Sequence, residues 1–396
     1  MINRSLNMKK IGIITILKVN NYGAELQAYA TQAYLKKLGY DAEIIDYLFY
    51  KNPQFIRTKR STPLFHFPFK KRLAEFVYPI WSQLKSLGNR RQQKLREQKF
   101  AEFHHKNTSM SVTYRSIDEL YGAHMDYDVY LTGSDQVWNP GIYSSVAPYF
   151  LDFVPHGCRR IAYASSFGVS QIPEEVRPYY AEFLSHYDAI GVREKNAVDL
   201  VYHIAHKTAE WVLDPTLLFS RNEWMQVASP VCVDTQSPYI LLYELTPCDY
   251  IQQLAHDIKS KTNWQIIRIC KNASREDRDA TIVNIIDAGP AEFLYLFSKA
   301  SLIITNSFHG TAFSINFHRP FYTVLPLRKQ NNSRQRSLLE LFGLTSRLLV
   351  EGDPFPSQSV QIDYTAVDKV LETERAKSTR FLKTAINGKE SVPKIV

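Results

Sequence analysis

A chain of 396 residues with 45% hydrophobic and 22% charged residues has a globular composition and is too long for one ordinary hydrophobic core. No stretch approaches the roughly 20 apolar residues of a membrane-spanning helix, so no transmembrane helix is expected. The net charge of +9 does not indicate nucleic-acid binding, because residues 51–106 alone carry a local charge of +11.

The N-terminal segment has the pattern of a strand, a helix and a second strand. Residues 11–17 form an apolar run that is too short for a signal peptide, and "YGAELQAYATQAYLKKLGY" and "AEIIDY" follow with helical and strand spacing. Asn21, Tyr22 and Gly23 enter the helix, where they either bind an anion or a sugar hydroxyl or form only a turn. One glycine is too few for a dinucleotide-binding fingerprint.

The basic segment is predicted to be an insertion over about residues 51–110. It begins with proline-rich sequence and ends in "NRRQQKLREQKFAEFHH", which has the composition of an exposed helix. Its cations alternate with aromatic residues, namely Phe65, Phe67, Phe69, Tyr78 and Trp81. The segment either contacts an anionic membrane peripherally, on the inner face, or is a solvated insertion.

The stretch "YDVYLTGSDQVWNP" predicts a strand that ends in Gly133, Ser134 and Asp135. An aspartate directly after a strand can act as a general base or accept a hydroxyl hydrogen bond, and Trp138 offers the flat apolar face that sugar rings favour. The alternative is that Asp135 caps the following helix.

The alternation of apolar runs and helical spacing continues to the C-terminus and predicts two α/β domains. A change in composition at residues 228–238 indicates a boundary near residue 232. We therefore expect domains at 1–231 and 232–362, followed by a C-terminal segment, 363–396, whose helix packs back on the first domain. Two doubly wound domains predict a cleft lined by loops at the carboxyl ends of their strands.

The stretch "SLIITNSFHGTAFS" places a candidate catalytic residue, His309, after a buried strand. A histidine can transfer a proton near neutral pH, and a helix that starts near Thr311 would direct backbone N–H groups at a phosphate or carboxylate. Ser307 and Gly310 belong to the same loop. The alternative is a histidine satisfied within a packed turn.

Two arginines are candidate anion ligands. Arg193 in "GVREK" ends a strand of the first domain, and Arg334 in "RKQNNSRQRSLLE" follows the strand after the His309 loop. Arginine forks suit carboxylates and phosphates, although most surface arginines are merely solvated.

Six motifs in this order resemble the polysaccharide pyruvyl transferase family. They are "KIGIITILKVNNYGAELQAYA", "YLTGSDQVWNP", "IAYASSFGVS", "VREKNAV", "VLDPTLLF" and "SLIITNSFHGTAFSINFHRPF". The ordered set covers nearly the whole chain apart from the basic insertion and the C-terminal helix, and it is more specific than any one motif.

The resemblance implies a GT-B-like pair of Rossmann-like domains. It also implies transfer of the enolpyruvyl group of phosphoenolpyruvate onto sugar hydroxyls, with release of phosphate. His309 matches the family's motif histidine. Characterised members often have an arginine two residues earlier, where this chain has Ser307, so we expect Arg334 and Arg193 to supply the cationic contacts instead.

Two other readings keep the same architecture. One is a glycosyltransferase with a nucleotide-sugar donor, and the other is a homologue that only binds a glycan or an anionic membrane. No metal site is indicated, because the four cysteines are far apart, and no cofactor other than the donor substrate is expected. The same cysteine spacing favours a reduced, cytoplasmic setting.

Overall fold

The chain forms two compact α/β units in a computed structural model that describes residues 8–64, 89–271, 279–328, 332–356 and 361–388. Unit 1 comprises Met1–Phe65, Asn107–Leu218 and Val370–Val396. Unit 2 comprises His66–Lys106 and Phe219–Lys369. Each unit is built around one parallel sheet with helices packed on it.

The sheet of unit 1 has six strands in the order β2-β1-β3-β4-β5-β6, and all neighbouring strands are parallel. The strands are β1 (Lys10–Ile14), β2 (Asp41–Ile44), β3 (Val129–Thr132), β4 (Arg159–Ser165), β5 (Ala189–Val192) and β6 (Glu210–Trp211). The helices other than the C-terminal one are α1 (Tyr22–Lys37), α3 (Ile117–Tyr121), α4 (Arg177–Ser185) and α5 (Lys195–Ala205).

The sheet of unit 2 also has six parallel strands, in the order β12-β11-β10-β7-β8-β9. The strands are β7 (Tyr239–Tyr243), β8 (Gln265–Ile269), β9 (Ile282–Ile285), β10 (Leu302–Thr305), β11 (Phe321–Leu325) and β12 (Leu348–Val350). The helices are α2 (Arg90–Asn107), α6 (Arg221–Met225), α7 (Asp249–Thr262), α8 (Pro290–Lys299), α9 (Phe308–Asn316) and α10 (Ser333–Leu341), and α11 (Tyr364–Asn387) begins here.

Each sheet has one switch point, where the chain passes from one side of the first strand of that sheet to the other side. It falls between β1 and β3 in unit 1 and between β7 and β10 in unit 2. Ligands of open α/β sheets bind in the crevice outside the carboxyl ends of the strands at such a point. The loop that follows β3 contains Asp135, and the loop that follows β10 contains Ser307. Each motif therefore lies at the switch point of its own sheet.

The central strands are predominantly apolar because both faces of each sheet are covered. Every residue of β3, β7, β10 and β11 is buried. The continuous apolar runs in the sequence are those of buried parallel strands, which show no alternation of apolar and polar residues.

The C-terminal helix α11 packs on unit 1 from Val370 onward. Thr379 hydrogen-bonds Tyr34 at 2.7 Å, and Ser378 accepts a hydrogen bond from the backbone of Leu213 at 3.0 Å. The ring of Phe381 lies so close to β5 that a Cβ at Gly191 would be 2.7 Å from it. None of the helices in the described ranges combines the length and hydropathy needed to cross a membrane.

Helix α2 is mostly exposed, as its basic composition predicts, but it also buries one stripe of side chains. Arg96, Phe100, Phe103 and His104 are buried. Arg96 donates to the carbonyl of Cys270 at 3.2 Å. A charged surface helix can bury one stripe of long side chains while its charges stay in solvent, and the mean composition of the segment conceals that stripe.

The division into units differs from the predicted domain ranges at two places. Helix α2 groups with unit 2 as far as Lys106, and the chain enters unit 2 at Phe219, before the predicted boundary at residue 232. Trp224 packs edge to face on Phe313 with ring centroids 5.2 Å apart, which ties residues before 232 to the second sheet. Phe65, Phe67, Phe69, Tyr78 and Trp81 lie outside the described residues.

Candidate functional site

The loop after β3 packs tightly against the loop after β1. Thr15 donates to the carbonyl of Ser134 at 2.9 Å, and a Cβ at Gly133 would lie 3.1 Å from the Thr15 Cβ. Gln27 of α1 donates to the Thr15 hydroxyl at 2.9 Å. These contacts hold the switch point of unit 1, with Gly133 present where the two loops approach each other most closely.

Asp135 has a left-handed backbone, with a φ of 76°. Aspartate is one of the few residues that visits this region, and such strain concentrates at functional sites. Its side chain is 18% exposed and lies 3.4 Å from the Arg193 guanidinium. Residues 136–146 form no helix, so Asp135 is not the helix cap that the sequence left open.

Arg193 is enclosed by carboxylates. Its side chain is 1% exposed. Its Nη1 lies 2.9 Å from the carboxylate of Asp214, whose side chain is fully buried. Burial by itself lowers the pKa of Arg193, but the negative charges of Asp214, Asp135 and Glu194 outweigh burial and raise it. The guanidinium therefore stays positively charged among these carboxylates of unit 1.

Two further residues of this edge are also buried in the protein interior. Ser134 is fully buried and donates to Asp214 at 2.9 Å, so its hydroxyl fixes that carboxylate. Glu194 is 2% exposed and accepts hydrogen bonds from the hydroxyl of Ser166 and the backbone of Gly168. The edge therefore combines three carboxylates with one arginine.

The proposed sugar contact through Trp138 is corrected by the structure. Its side chain is fully buried, its ring stacks on Phe150 with centroids 5.1 Å apart, and its indole N–H donates to the carbonyl of Tyr149. The ring has no exposed face on which a sugar could stack, because it forms the centre of an aromatic core under the Asp135 loop.

The turn at the start of α1 acts as a cap. Asn21 accepts a hydrogen bond from the backbone of Ala24 at 3.2 Å, and Glu25 accepts one from the backbone of Val19 at 3.1 Å. Tyr22 and Gly23 are the first two helical residues and are buried. The structure thus accounts for these positions as a helix start at the β1 side of the switch point.

The His309 loop is the corresponding feature of unit 2. Strand β10 ends at Thr305, and α9 begins at Phe308, so His309 lies in the first turn of a helix. Ser307 is the N-cap, and its hydroxyl accepts a hydrogen bond from the backbone of Gly310 at 3.3 Å. His309 is 6% exposed and packs edge to face on Phe308. The helix N-terminus adds a partial positive charge at this place.

Hydrogen bonds of threonine hydroxyls also fix the first turn of α9 on the sheet. Thr311 donates to the carbonyl of Ser307 at 3.0 Å and hydrogen-bonds Thr323 of β11 at 2.8 Å. Thr305 donates to the carbonyl of Tyr243 at 2.6 Å. Thr311 is therefore buried in the protein, and its hydroxyl holds the loop that carries His309.

Gly310 is required because the helix packs directly on the end of β10. A Cβ at this position would lie 2.4 Å from the Thr305 hydroxyl. Gly310→Ala should lower the free energy of unfolding by about 1–3 kcal/mol, as overpacking of a close contact does. Chemical denaturation of the single variants Gly310→Ala and Thr305→Ala and of the double variant checks the cause. Additive losses in the double variant would contradict a clash between these two residues.

Arg334 lies in the first turn of α10, which is attached to the same loop. Its neighbour Gln335 donates to the carbonyl of Asn306 at 3.2 Å, and the Asn306 side chain bonds to the backbone of Leu245 and Thr246 after β7. Arg334 itself is 7% exposed. The loops after β7 and β10 and the start of α10 thus form one connected edge of unit 2.

The structure therefore gives two separate groups of predicted residues. Asn21, Gly133, Ser134, Asp135 and Arg193 lie at the carboxyl edge of the unit 1 sheet, and Ser307, His309, Gly310, Thr311 and Arg334 lie at that of unit 2. Sequence reasoning missed Asp214, Glu194, Asn306 and Gln335. In the described ranges no three His, Cys, Asp or Glu side chains form a group that could hold a metal ion.

Comparison with protein families gives one match over most of the chain. The sequence model of the polysaccharide pyruvyl transferase family matches residues 21–326. The match includes the Asp135 loop, Arg193 and the His309 loop, and it ends before Arg334. A search of curated proteins gave no match.

Solved structures share the fold at low sequence identity. A putative UDP-N-acetylglucosamine 2-epimerase from Listeria monocytogenes has a TM-score of 0.53 at 10% identity, with 95% of each chain covered. Another UDP-N-acetylglucosamine 2-epimerase structure has a TM-score of 0.53 at 9% identity, with 98% of each chain covered. With the two sheet orders, these structures confirm the predicted GT-B-like class of two Rossmann-like units.

Proposed function

Because the chain belongs to the polysaccharide pyruvyl transferase family, we propose that it transfers pyruvate from phosphoenolpyruvate to a sugar. Two hydroxyls of the acceptor add to the enol carbon of the donor, the methylene of the donor gains one proton, and phosphate leaves with the other. The product is a pyruvate ketal on an exopolysaccharide or on its lipid-linked precursor.

We assign the donor to the carboxyl edge of unit 2. Phosphoenolpyruvate carries a phosphate and a carboxylate, and both groups are stabilised by a helix N-terminus and by arginine. The first turn of α9 and the buried Arg334 of α10 supply these two kinds of contact on one connected edge. His309, in the same turn, is the general acid that protonates the methylene.

We assign the acceptor to the carboxyl edge of unit 1, with Asp135 as the group that accepts a hydroxyl proton. Among Asp135, Glu194 and Asp214, Asp135 has the side chain of intermediate exposure, while the other two are buried. A base must be accessible to the hydroxyl that it activates, which favours Asp135 over its neighbours.

The observation that carries the proposal is the place of His309 in a chain matched by this family. A histidine in the first turn of a helix, directly after the strand at the switch point, combines a proton donor with an anion site. A histidine that served only to fill a turn would require neither the switch point nor the helix start.

The proposal is tested by the release of phosphate from phosphoenolpyruvate in the presence of a panel of sugar and lipid-linked acceptors. Acceptor-dependent release with formation of a ketal is expected. Release of a nucleotide from a nucleotide sugar would support the glycosyltransferase reading, and turnover of neither donor would support a protein that only binds glycans. Contact of residues 51–106 with an anionic membrane remains a prediction.

A further inference from the structure

One fully buried carboxylate of unit 1 is Asp214, which was not among the residues predicted from the sequence. Its side chain has 0% exposure. One carboxylate oxygen accepts the backbone N–H and the hydroxyl of Thr216, at 3.0 and 2.7 Å. The other accepts Ser134 and Arg193, both at 2.9 Å. With four hydrogen bonds from three residues, Asp214 is held in a single orientation.

Arg193 transmits this orientation to Asp135. One Nη of the guanidinium bonds Asp214, and the other lies 3.4 Å from the Asp135 carboxylate. The planar guanidinium fixes the direction of the second Nη once the first is bound. Exposure rises along the series from 0% for Asp214 through 1% for Arg193 to 18% for Asp135. Only Asp135, the last member, is partly exposed to solvent.

We propose that Asp214 is a positioning residue that acts through Arg193 on Asp135. Asp214 anchors the guanidinium, the guanidinium holds the Asp135 carboxylate on its left-handed backbone, and Asp135 alone meets the acceptor. The inference rests on the proposed function in giving Asp135 the role of base. It also changes the role of Arg193. With 1% exposure, this side chain contacts Asp135 from the protein interior and does not contact the donor.

Asp214→Asn provides the first test, because it removes one negative charge and keeps the size of the side chain. The carboxylates facing Arg193 are Asp214, Asp135 and Glu194, so the loss of one leaves more of the cation's field on Asp135. The acid limb of the pH profile of kcat/KM should therefore move to lower pH. A purely structural role would reduce the amount of folded enzyme without moving the profile.

Arg193→Lys provides a second variant, for which the acid limb of the pH profile is expected to shift in the opposite direction. An ammonium group keeps the charge but cannot bond both carboxylates in the fixed geometry of a fork. It is expected to stay with the buried Asp214 and to release Asp135, which moves the acid limb to higher pH. Affinity for phosphoenolpyruvate should be unchanged. Weaker donor binding with an unmoved profile would mean that Arg193 contacts the donor, and it would overturn the inference.

Asp188→Asn is the matched control. Asp188 pairs with Arg159 at the amino ends of the strands of the same sheet, and its side chain is 41% exposed. Its pH profile should coincide with that of the wild type. The same variants are also titrated without substrates by 13C NMR of labelled aspartate carboxyls. The signal of Asp135 is identified by its loss in Asp135→Asn. Opposite shifts of that signal in Asp214→Asn and Arg193→Lys support the inference, and an unmoved signal rejects it. A wild type that releases no phosphate would refute the proposed function alone.

Discussion

Replacing His309 by glutamine should lower kcat for phosphate release by a factor of roughly 10² to 10⁴, the usual contribution of a general acid. Glutamine has nearly the length of histidine and can keep a hydrogen bond, but it cannot transfer a proton to the methylene of the donor. The first turn of α9 is fixed by Ser307 and Thr311, so the helix should form as before. The measurement is kcat at saturating donor, together with the melting temperature.

His318→Gln is the control for this prediction. His318 follows the other end of α9, where it stacks on Tyr364 with centroids 4.5 Å apart and lies 2.8 Å from Asp368. Its substitution removes a histidine just beyond the C-terminal end of α9 and away from the switch point, and kcat should stay near the wild-type value. Turnover of His309→Gln within a few fold of the wild type would remove His309 from the mechanism.

Strand, loop and helix around His309 could be predicted from the sequence because each signal there is local. A buried parallel strand is a continuous apolar run, and helical spacing resumes after the turn. The helix nevertheless begins at Phe308, three residues before the expected start near Thr311, because Ser307 is its N-cap. The strand order was not predictable in the same way. That His309 and Asp135 both lie at switch points follows only from pairings between strands far apart in the chain.

Trp138 and Arg193 were selected for the chemistry of their side chains, but burial decides which groups each side chain contacts. The Trp138 ring has its indole N–H bonded to Tyr149, and the Arg193 fork has Asp214 and Asp135 as partners. Asp214 was overlooked because an aspartate before a proline indicates a turn. Its partners outside its own turn, Ser134 and Arg193, come from two other segments of the chain.

Ser307 shows how a departure from the family pattern can be read once the local geometry is known. The residue is the N-cap of α9, and its hydroxyl accepts the Gly310 N–H. Arginine has no acceptor atom and could not make this bond. A serine here stabilises the helix that carries His309, and the proposed function assigns the cation for the donor to another element of unit 2, the first turn of α10.

Arg334→Ala should weaken the binding of phosphoenolpyruvate by tens to thousands of fold, because loss of a charge-assisted contact in a water-poor site costs on the order of 2 to 5 kcal/mol. Three observations select this arginine. It is 7% exposed, it lies in the first turn of α10, and the next residue, Gln335, attaches that turn to the carbonyl of Asn306 beside the His309 loop. The effect should appear in donor affinity more than in kcat at saturation.

Arg336 offers a matched control, since it lies two residues further along the same helix and is exposed. Arg336→Ala removes an equal charge from α10 but should leave donor affinity nearly unchanged, because a solvated arginine is screened from a ligand that it does not touch. Ser307→Ala should cost only the stability of a lost cap, about 0.5–2 kcal/mol, with donor affinity little affected. Calorimetric titration of phosphoenolpyruvate into the three variants and the wild type separates these effects. Equal affinity in Arg334→Ala and Arg336→Ala would show that Arg334 does not replace the missing arginine, and the donor phosphate and carboxylate would then have to be held by other groups.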